Sequence, residues 1–217
     1  MKTVIAYGDS LTWGMDARSG ARHAQGDQWP SVLEAGLGGH ARIINAGLNG
    51  RTTMFDDYAV AADRNGARIL PTILATFEPI DLVIIMLGSN DVKLWVGGSA
   101  VAAAQGVRRL VEIVGTFPYA GGRPAPRVLI LAPPKVEQLG PSAEFPLLSP
   151  RSPESLANVY ADVAKLTGAG FFDAATVASA AGGGDGVHLD AANTRAIGEA
   201  LVPIVGALLG INAVKAA

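Results

Sequence analysis

The chain has 217 residues, 17% of them charged and 49% hydrophobic, with 27 glycines, no cysteine and a formal net charge of −2. That length suits one domain over residues 1–217, while the low charge and a mean hydropathy of +0.31 exclude a disordered chain and point to surface shared in a homo-oligomer. A near-neutral balance without a basic block excludes nucleic acid and anionic membrane as partners, and the lack of cysteine excludes disulfides, thiolate zinc sites and a cysteine nucleophile.

Strand and helix patterns alternate along the chain. Residues 3–7 read as a strand, and residues 29–37 as a helix with Pro30 in its first turn. Residues 41–46 form a second strand, and residues 65–77 a helix that Pro71 is expected to start or kink. Residues 82–87 are continuously apolar, as a parallel strand covered on both faces should be. Residues 99–114 read as a helix capped by Ser99, and residues 127–131 as a fourth strand. A helix over 152–166 opens on Ser152-Pro153-Glu154, a strong helix-start signal. Residues 170–173 give a short fifth strand, and Asp190 caps a last helix ending at Leu209. This alternation predicts an α/β fold, a parallel sheet with helices on both faces and right-handed crossovers.

Two long irregular stretches, residues 14–28 and 132–151, are expected to be functional or interface-forming; the second carries Phe145, Leu147 and Leu148. Residues 3–7 begin a strand at once, with no apolar segment of signal-peptide length. The most apolar helix, near the C-terminus, contains Gly198, Glu199, Pro203, Gly206 and Gly210, so it reads as buried and not as a membrane span. With no cysteine either, a cytoplasmic location is expected.

Ligands of open parallel sheets bind at the carboxyl ends of the strands, so reactive residues just after strands matter most. Ser10 follows the first strand, Gly50 and Asn90 follow the second and third, and Asp185 and His188 follow the fifth. Gly8, without a Cβ, lets the backbone bend sharply and expose the Ser10 hydroxyl. A serine hydroxyl becomes a nucleophile when a base takes its proton, and His188 is the candidate base. Asp185, three residues earlier on one loop, can hold Nδ1 while Nε2 faces outward. Taken singly, Ser10 reads sooner as a helix cap than as a nucleophile, and Asp185 and His188 read equally as turn and helix-start residues. A metal reading of the Asp-x-x-His pair lacks a third or fourth ligand, so no metal and no cofactor is expected.

Oxyanion donors are available in the N–H groups of Ser10 and Gly50 and the side-chain amide of Asn90. Leu11, Trp13, Lys93 and Val187 form the expected substrate pocket, with Trp13 and Val187 as walls. Asp9 and Asp91 read as structural residues that bond nearby backbone N–H groups. His23 and His40, in polar Gly-flanked sequence, read as surface residues.

Gly8-Asp9-Ser10-Leu11 resembles the GDSL signature, and with Gly50, Asn90 and His188 the set is similar to the SGNH hydrolases. Asp185-Gly186-Val187-His188 resembles that family's last block, so the likeness runs from residue 8 to residue 188. It implies a three-layer α/β/α sandwich with a five-stranded, flavodoxin-like sheet of order 2-1-3-4-5, and esterase or lipase chemistry. Residues 8–14, 47–53 and 90–93 are similar to the bacterial arylesterase and acyltransferase (perhydrolase-like) branch. That likeness implies oligomers and transfer of short acyl groups to alcohols or peroxide; the second oxyanion N–H falls on Asn49 or Gly50, with Gly50 preferred because glycine permits close approach.

The expected function is a serine carboxylic ester hydrolase acting on short-chain acyl esters, small molecules, through an acyl-serine. Carbohydrate deacetylation, thioester hydrolysis and lysophospholipid cleavage use the same machinery and stay open. From a different class, a non-catalytic binding module of the same fold is the alternative, although a binder has no need of Ser10, Asp185 and His188 together.

Overall fold

The computed structural model describes residues 1–136 and 155–211. In chain order, β1 (Lys2–Gly8) leads into α1 (Ser10–Trp13), the strands β2 (Met15–Asp16) and β3 (Ala21–Arg22), α2 (Trp29–Gly36) and β4 (Ala41–Gly47). There follow α3 (Gly66–Phe77), β5 (Leu82–Met86), α4 (Ala100–Thr116), β6 (Arg127–Ala132), α5 (Leu156–Thr167), β7 (Gly170–Asp173) and α6 (Ala191–Leu209). Five strands pair in parallel in the order β4-β1-β5-β6-β7. Counted among those five alone, this is the 2-1-3-4-5 order expected of the family resemblance.

Side chains alternate across the two faces with the period of a strand. Val4, Ala6, Leu82, Ile84 and Met86 face a layer made by α2 and α6, with Trp29, Leu33, Ile197, Leu201 and Val205. Ile5, Tyr7, Val83 and Ile85 face the other layer, with Leu70 and Leu74 of α3 and Leu110 and Val114 of α4. Each of these Val, Leu, Ile and Met side chains contributes roughly 1.5–3 kcal/mol by leaving water. Burial on both faces is why β5 lacks any polar residue.

The helices start where capping side chains sit. Asn65, Ser99, Ser155 and Asp190 accept from the backbone N–H three residues on, at the heads of α3, α4, α5 and α6. Pro71 lies inside α3 without ending it. The missing N–H removes one bond, to the carbonyl of Ala67 near the helix start. The cap of α5 is Ser155; the predicted start at Ser152-Pro153-Glu154 lies outside the described residues, as do Phe145, Leu147 and Leu148. Residues 14–28 are not wholly irregular. β2 and β3 pair as an antiparallel ribbon, followed by a 3-10 turn over Gln25–Asp27. Strands of two residues are too short to leave a periodic pattern.

Among the described residues no helix is long and apolar enough to cross a membrane. β4 is an edge strand, and two of its backbone amides are met by side chains: Ile43 N–H donates to Glu34 Oε2 at 2.5 Å and Gly47 N–H to Asn45 Oδ1 at 3.0 Å.

Candidate active site

Because β1 lies between β4 and β5, its last residue, Gly8, pairs with Gly47 on one side and Met86 on the other. The chain then reverses into α1. A Cβ on Gly8 would stand 2.0 Å from Thr12 Oγ1 and 2.8 Å from Met86 O, so only glycine lets this turn fold back on the strand. Asp9 caps the turn, its Oδ1 accepting Leu11 N–H at 2.9 Å. Ser10 opens α1, and its side chain reaches the sheet's carboxyl edge.

His188 comes to the same place from the loop between β7 and α6. Its Nε2 lies 2.9 Å from Ser10 Oγ and its Nδ1 2.6 Å from Asp185 Oδ2. The other Asp185 oxygen accepts the N–H of Val187 at 2.9 Å and of His188 at 2.8 Å. Burial alone would raise the Asp185 carboxyl; the bonds from the His188 ring and these two N–H groups outweigh it and hold the carboxyl below its usual value. An ionised carboxylate only accepts, which puts the ring proton on Nδ1 and leaves the Nε2 lone pair facing the Ser10 hydroxyl.

Residues 14–28 brace that loop. Arg18 Nη2 donates to Gly182 O at 2.8 Å, and His23 Nε2 lies 2.9 Å from Leu189 O. The surface reading of His23 is therefore corrected: it is half-buried against the residue that follows His188, a pairing 166 positions apart that local sequence does not reveal. His40 is exposed.

A cavity of about 200 Å³ opens over the serine, lined by Ser10, Met15, Asn49, Gly50, Arg64, Ser89, Asn90, Lys93, Val187 and His188. A larger groove of about 750 Å³ runs along α2 and β4. None of Ser10, Asp185 and His188 lines it, whereas Ser10 and His188 line the smaller cavity, which is therefore the candidate site. Leu11 and Trp13 are corrected: neither lines the cavity. Within the helical turn that starts at Ser10, Leu11 points into the core, only 4% exposed, and Trp13 has the Arg22 guanidinium 5.1 Å from its ring centre. Lys93 and Val187 do line it.

Beneath the cavity lies a buried polar frame. Arg51, 5% exposed, donates from Nη1 to Gly8 O at 2.9 Å and also to Ala46 O, tying the ends of β1 and β4. Its guanidinium lies 4.3 Å from the Tyr7 ring centre. Asn90 Nδ2 donates to Arg51 O at 3.1 Å and to Asp9 Oδ2 at 3.3 Å. Asp91 accepts Thr53 N–H at 3.0 Å as well as the Thr53 hydroxyl. Burial pushes the Asp9 carboxyl up to about 6, against the pull of the Leu11 N–H and of His188, Arg51 and Lys93. Burial likewise pushes Asp91 up to about 7, and the charge of Asp9 adds to it. Asp9 thus bonds a nearby N–H as read, whereas the partner of Asp91 is Thr53, on a distant segment.

Arg51, Thr53, Arg64, Met15 and Ser89 were not singled out from sequence. Only the Arg51-Thr52-Thr53 run beside Gly50 hinted at two of them. Among the described residues no group of three or more His, Asp or Glu side chains could hold a metal ion.

The model of the GDSL-like Lipase/Acylhydrolase family matches residues 6–196. A carbohydrate acetylesterase family member from Sinorhizobium meliloti is 47% identical over 97% of this chain and 100% of its own, with a TM-score of 0.92. A putative arylesterase from Agrobacterium tumefaciens is 50% identical over 96% of this chain and 100% of its own, with a TM-score of 0.89. The M. smegmatis aryl esterase is 39% identical over 96% of this chain and 100% of its own, with a TM-score of 0.86. No curated protein sequence matches the chain significantly.

Proposed function

Since the chain belongs to the GDSL-like lipase/acylhydrolase family, we propose that it is an ester hydrolase that works through an acyl-serine on Ser10. The observation that carries this reading is the unbroken line from Asp185 to His188 at 2.6 Å and from His188 to Ser10 at 2.9 Å. Ser10 Oγ adds to the ester carbonyl carbon while its proton passes to His188 Nε2, and Asp185 stabilises the imidazolium. The tetrahedral oxyanion is held by the N–H groups of Ser10 and Gly50 and by Asn90 Nδ2. For Asn90, the contact to Asp9, 3.3 Å against 3.1 Å to Arg51, is the one that yields to the oxyanion. Collapse of this intermediate expels the alcohol, which takes the proton from His188. Water, deprotonated by the same histidine, then releases the acid and restores Ser10.

The small cavity supports a short acyl group, and similarity to a carbohydrate acetylesterase and to aryl esterases agrees with acetyl-sized esters. Acyl transfer to alcohols and assembly of a homo-oligomer, both implied by the resemblance, belong to the same proposal. A fluorophosphonate should label the protein once, on Ser10, and abolish hydrolysis of 4-nitrophenyl acetate; Ser10→Ala should prevent both. An adduct on another residue, or hydrolysis that survives Ser10→Ala, would remove Ser10 from the reaction, and a protein that takes no label would be a binder.

A further inference from the structure

The peptide between Asn49 and Gly50 is planar, with its carbonyl and its N–H pointing in opposite directions. The N–H is the proposed Gly50 oxyanion donor. The carbonyl accepts Arg64 Nε at 3.2 Å. Arg64 is itself fixed. Its Nη1 pairs with Asp57 Oδ2 at 2.6 Å, the two side chains only 17% and 8% exposed. Its backbone carbonyl accepts Thr52 N–H at 2.9 Å and the Thr52 hydroxyl at 3.2 Å. The guanidinium also fills the space beside residue 50. Gly50 has φ +80, and a Cβ there would stand 2.4 Å from both Nε and Cζ of Arg64.

We propose that Arg64 is a positioning residue for ester hydrolysis: it holds and polarises the Asn49–Gly50 peptide so that the Gly50 N–H meets the oxyanion as a stronger, fixed donor. The inference rests on the acyl-serine reading above. A cationic donor on a carbonyl draws electron density through the amide and raises the positive charge on its N–H, since hydrogen bonds in a chain strengthen one another. Asp57 balances the guanidinium's charge, so the contribution is the oriented bond more than a net field over the cavity. That bond matters most when negative charge develops on the carbonyl oxygen, and little when neutral substrate binds. Arg64 is thereby tied to turnover through Gly50, without touching the reacting atoms.

The test compares two ligands of one size. An alkyl trifluoromethyl ketone adds to a serine hydroxyl and forms a hemiketal oxyanion; the matching trifluoromethyl carbinol binds without reacting. In Arg64→Met the ketone is expected to bind roughly tenfold more weakly or worse, a part of the 10²–10³ that losing a whole donor costs. The carbinol should change by no more than about twofold, and kcat should fall with KM steady. Arg64→Lys keeps the charge opposite Asp57 but cannot serve Asp57 and Asn49 O with one planar fork, and should lie between. If Arg64→Met does not fold, Arg64→Lys decides by the same ratio. A ketone-to-carbinol ratio equal to that of the unaltered protein, or equal weakening of both ligands, overturns the proposal. Ser10→Ala serves as the separate arm: it should erase the ketone's advantage, and if it does not, the acyl-serine reading fails whatever Arg64 does.

Discussion

The two halves of the site are held by different physics. The half with the proposed nucleophile is buried: Asp9, Ser10, Arg51, Thr53, Asn90 and Asp91 are each at most 8% exposed. Strand ends fix it, and Arg51 laces two of those ends together. The half with the proposed base is a loop between β7 and α6, where the Asp185 side chain is 38% exposed and the bracing comes from Arg18 and His23. A buried polar group left unpaired costs about 1–3 kcal/mol, while a surface contact is worth far less. Damage to the first half therefore reaches folding, whereas damage to the second reaches turnover and leaves the fold standing.

The sharpest break of that contrast is at His188. His188→Ala is expected to lower kcat/KM for 4-nitrophenyl acetate by roughly 10⁴-fold or more, because the members of the proposed triad would act as a unit. The thermal midpoint should stay put. Asp185→Asn should lose less, since its amide oxygen can still accept the Val187 and His188 N–H groups that hold the loop. Steady-state rates decide it: a greater loss in Asp185→Asn than in His188→Ala would reverse the roles.

A smaller effect is expected from the bracing. Removing both Arg18 and His23 side chains should cut kcat roughly tenfold by letting His188 drift from Ser10, since even ~1 Å of misplacement is costly. Stability should fall by no more than about 1 kcal/mol. Urea unfolding beside the rate measurement separates the outcomes, and a protein that unfolds early while its turnover is normal would assign residues 14–28 to the fold alone.

The least effect on turnover, and the one specific to the buried half, concerns stability against pH. Asp9 and Asp91 have folded values of about 6 and about 7 against 3.8, so the fold retains protons that the unfolded chain releases. Their contribution is fully present below about pH 4 and fades as pH rises towards 7. Carboxyls held low, such as Asp185, change stability at lower pH, outside this window. Asp91→Asn should flatten the fall in unfolding free energy between pH 4 and 7. Denaturation at three pH values measures it, and an unchanged slope would mean that Asp91 keeps its charge state throughout.

The same contrast explains what sequence could convey. A parallel sheet between two helix layers follows from runs such as residues 82–87, short and apolar throughout between helical patterns, while the strand order comes from the family resemblance. Ser10, Gly50, Asn90 and His188 stand out because strand ends are where a parallel sheet presents side chains. The frame beneath them does not stand out. A buried arginine such as Arg51 looks in sequence like any surface arginine, and its burial depends on Tyr7, 44 positions away on β1. Leu11 and Trp13 misled by proximity to Ser10, since neighbours on a helical turn point in different directions. The His23 contact with Leu189 exists only in three dimensions.

At β4 the Glu34 carboxylate sits on the Ile43 amide, and Asn45 on that of Gly47. Outward amides of an edge strand are what a stray chain would use to lengthen a sheet from molecule to molecule. With these two already satisfied, a newcomer finds carboxylate and carboxamide oxygens instead of donors along the middle and end of the strand. Side chains of the chain itself thus occupy two of the positions through which a further strand would dock on this edge.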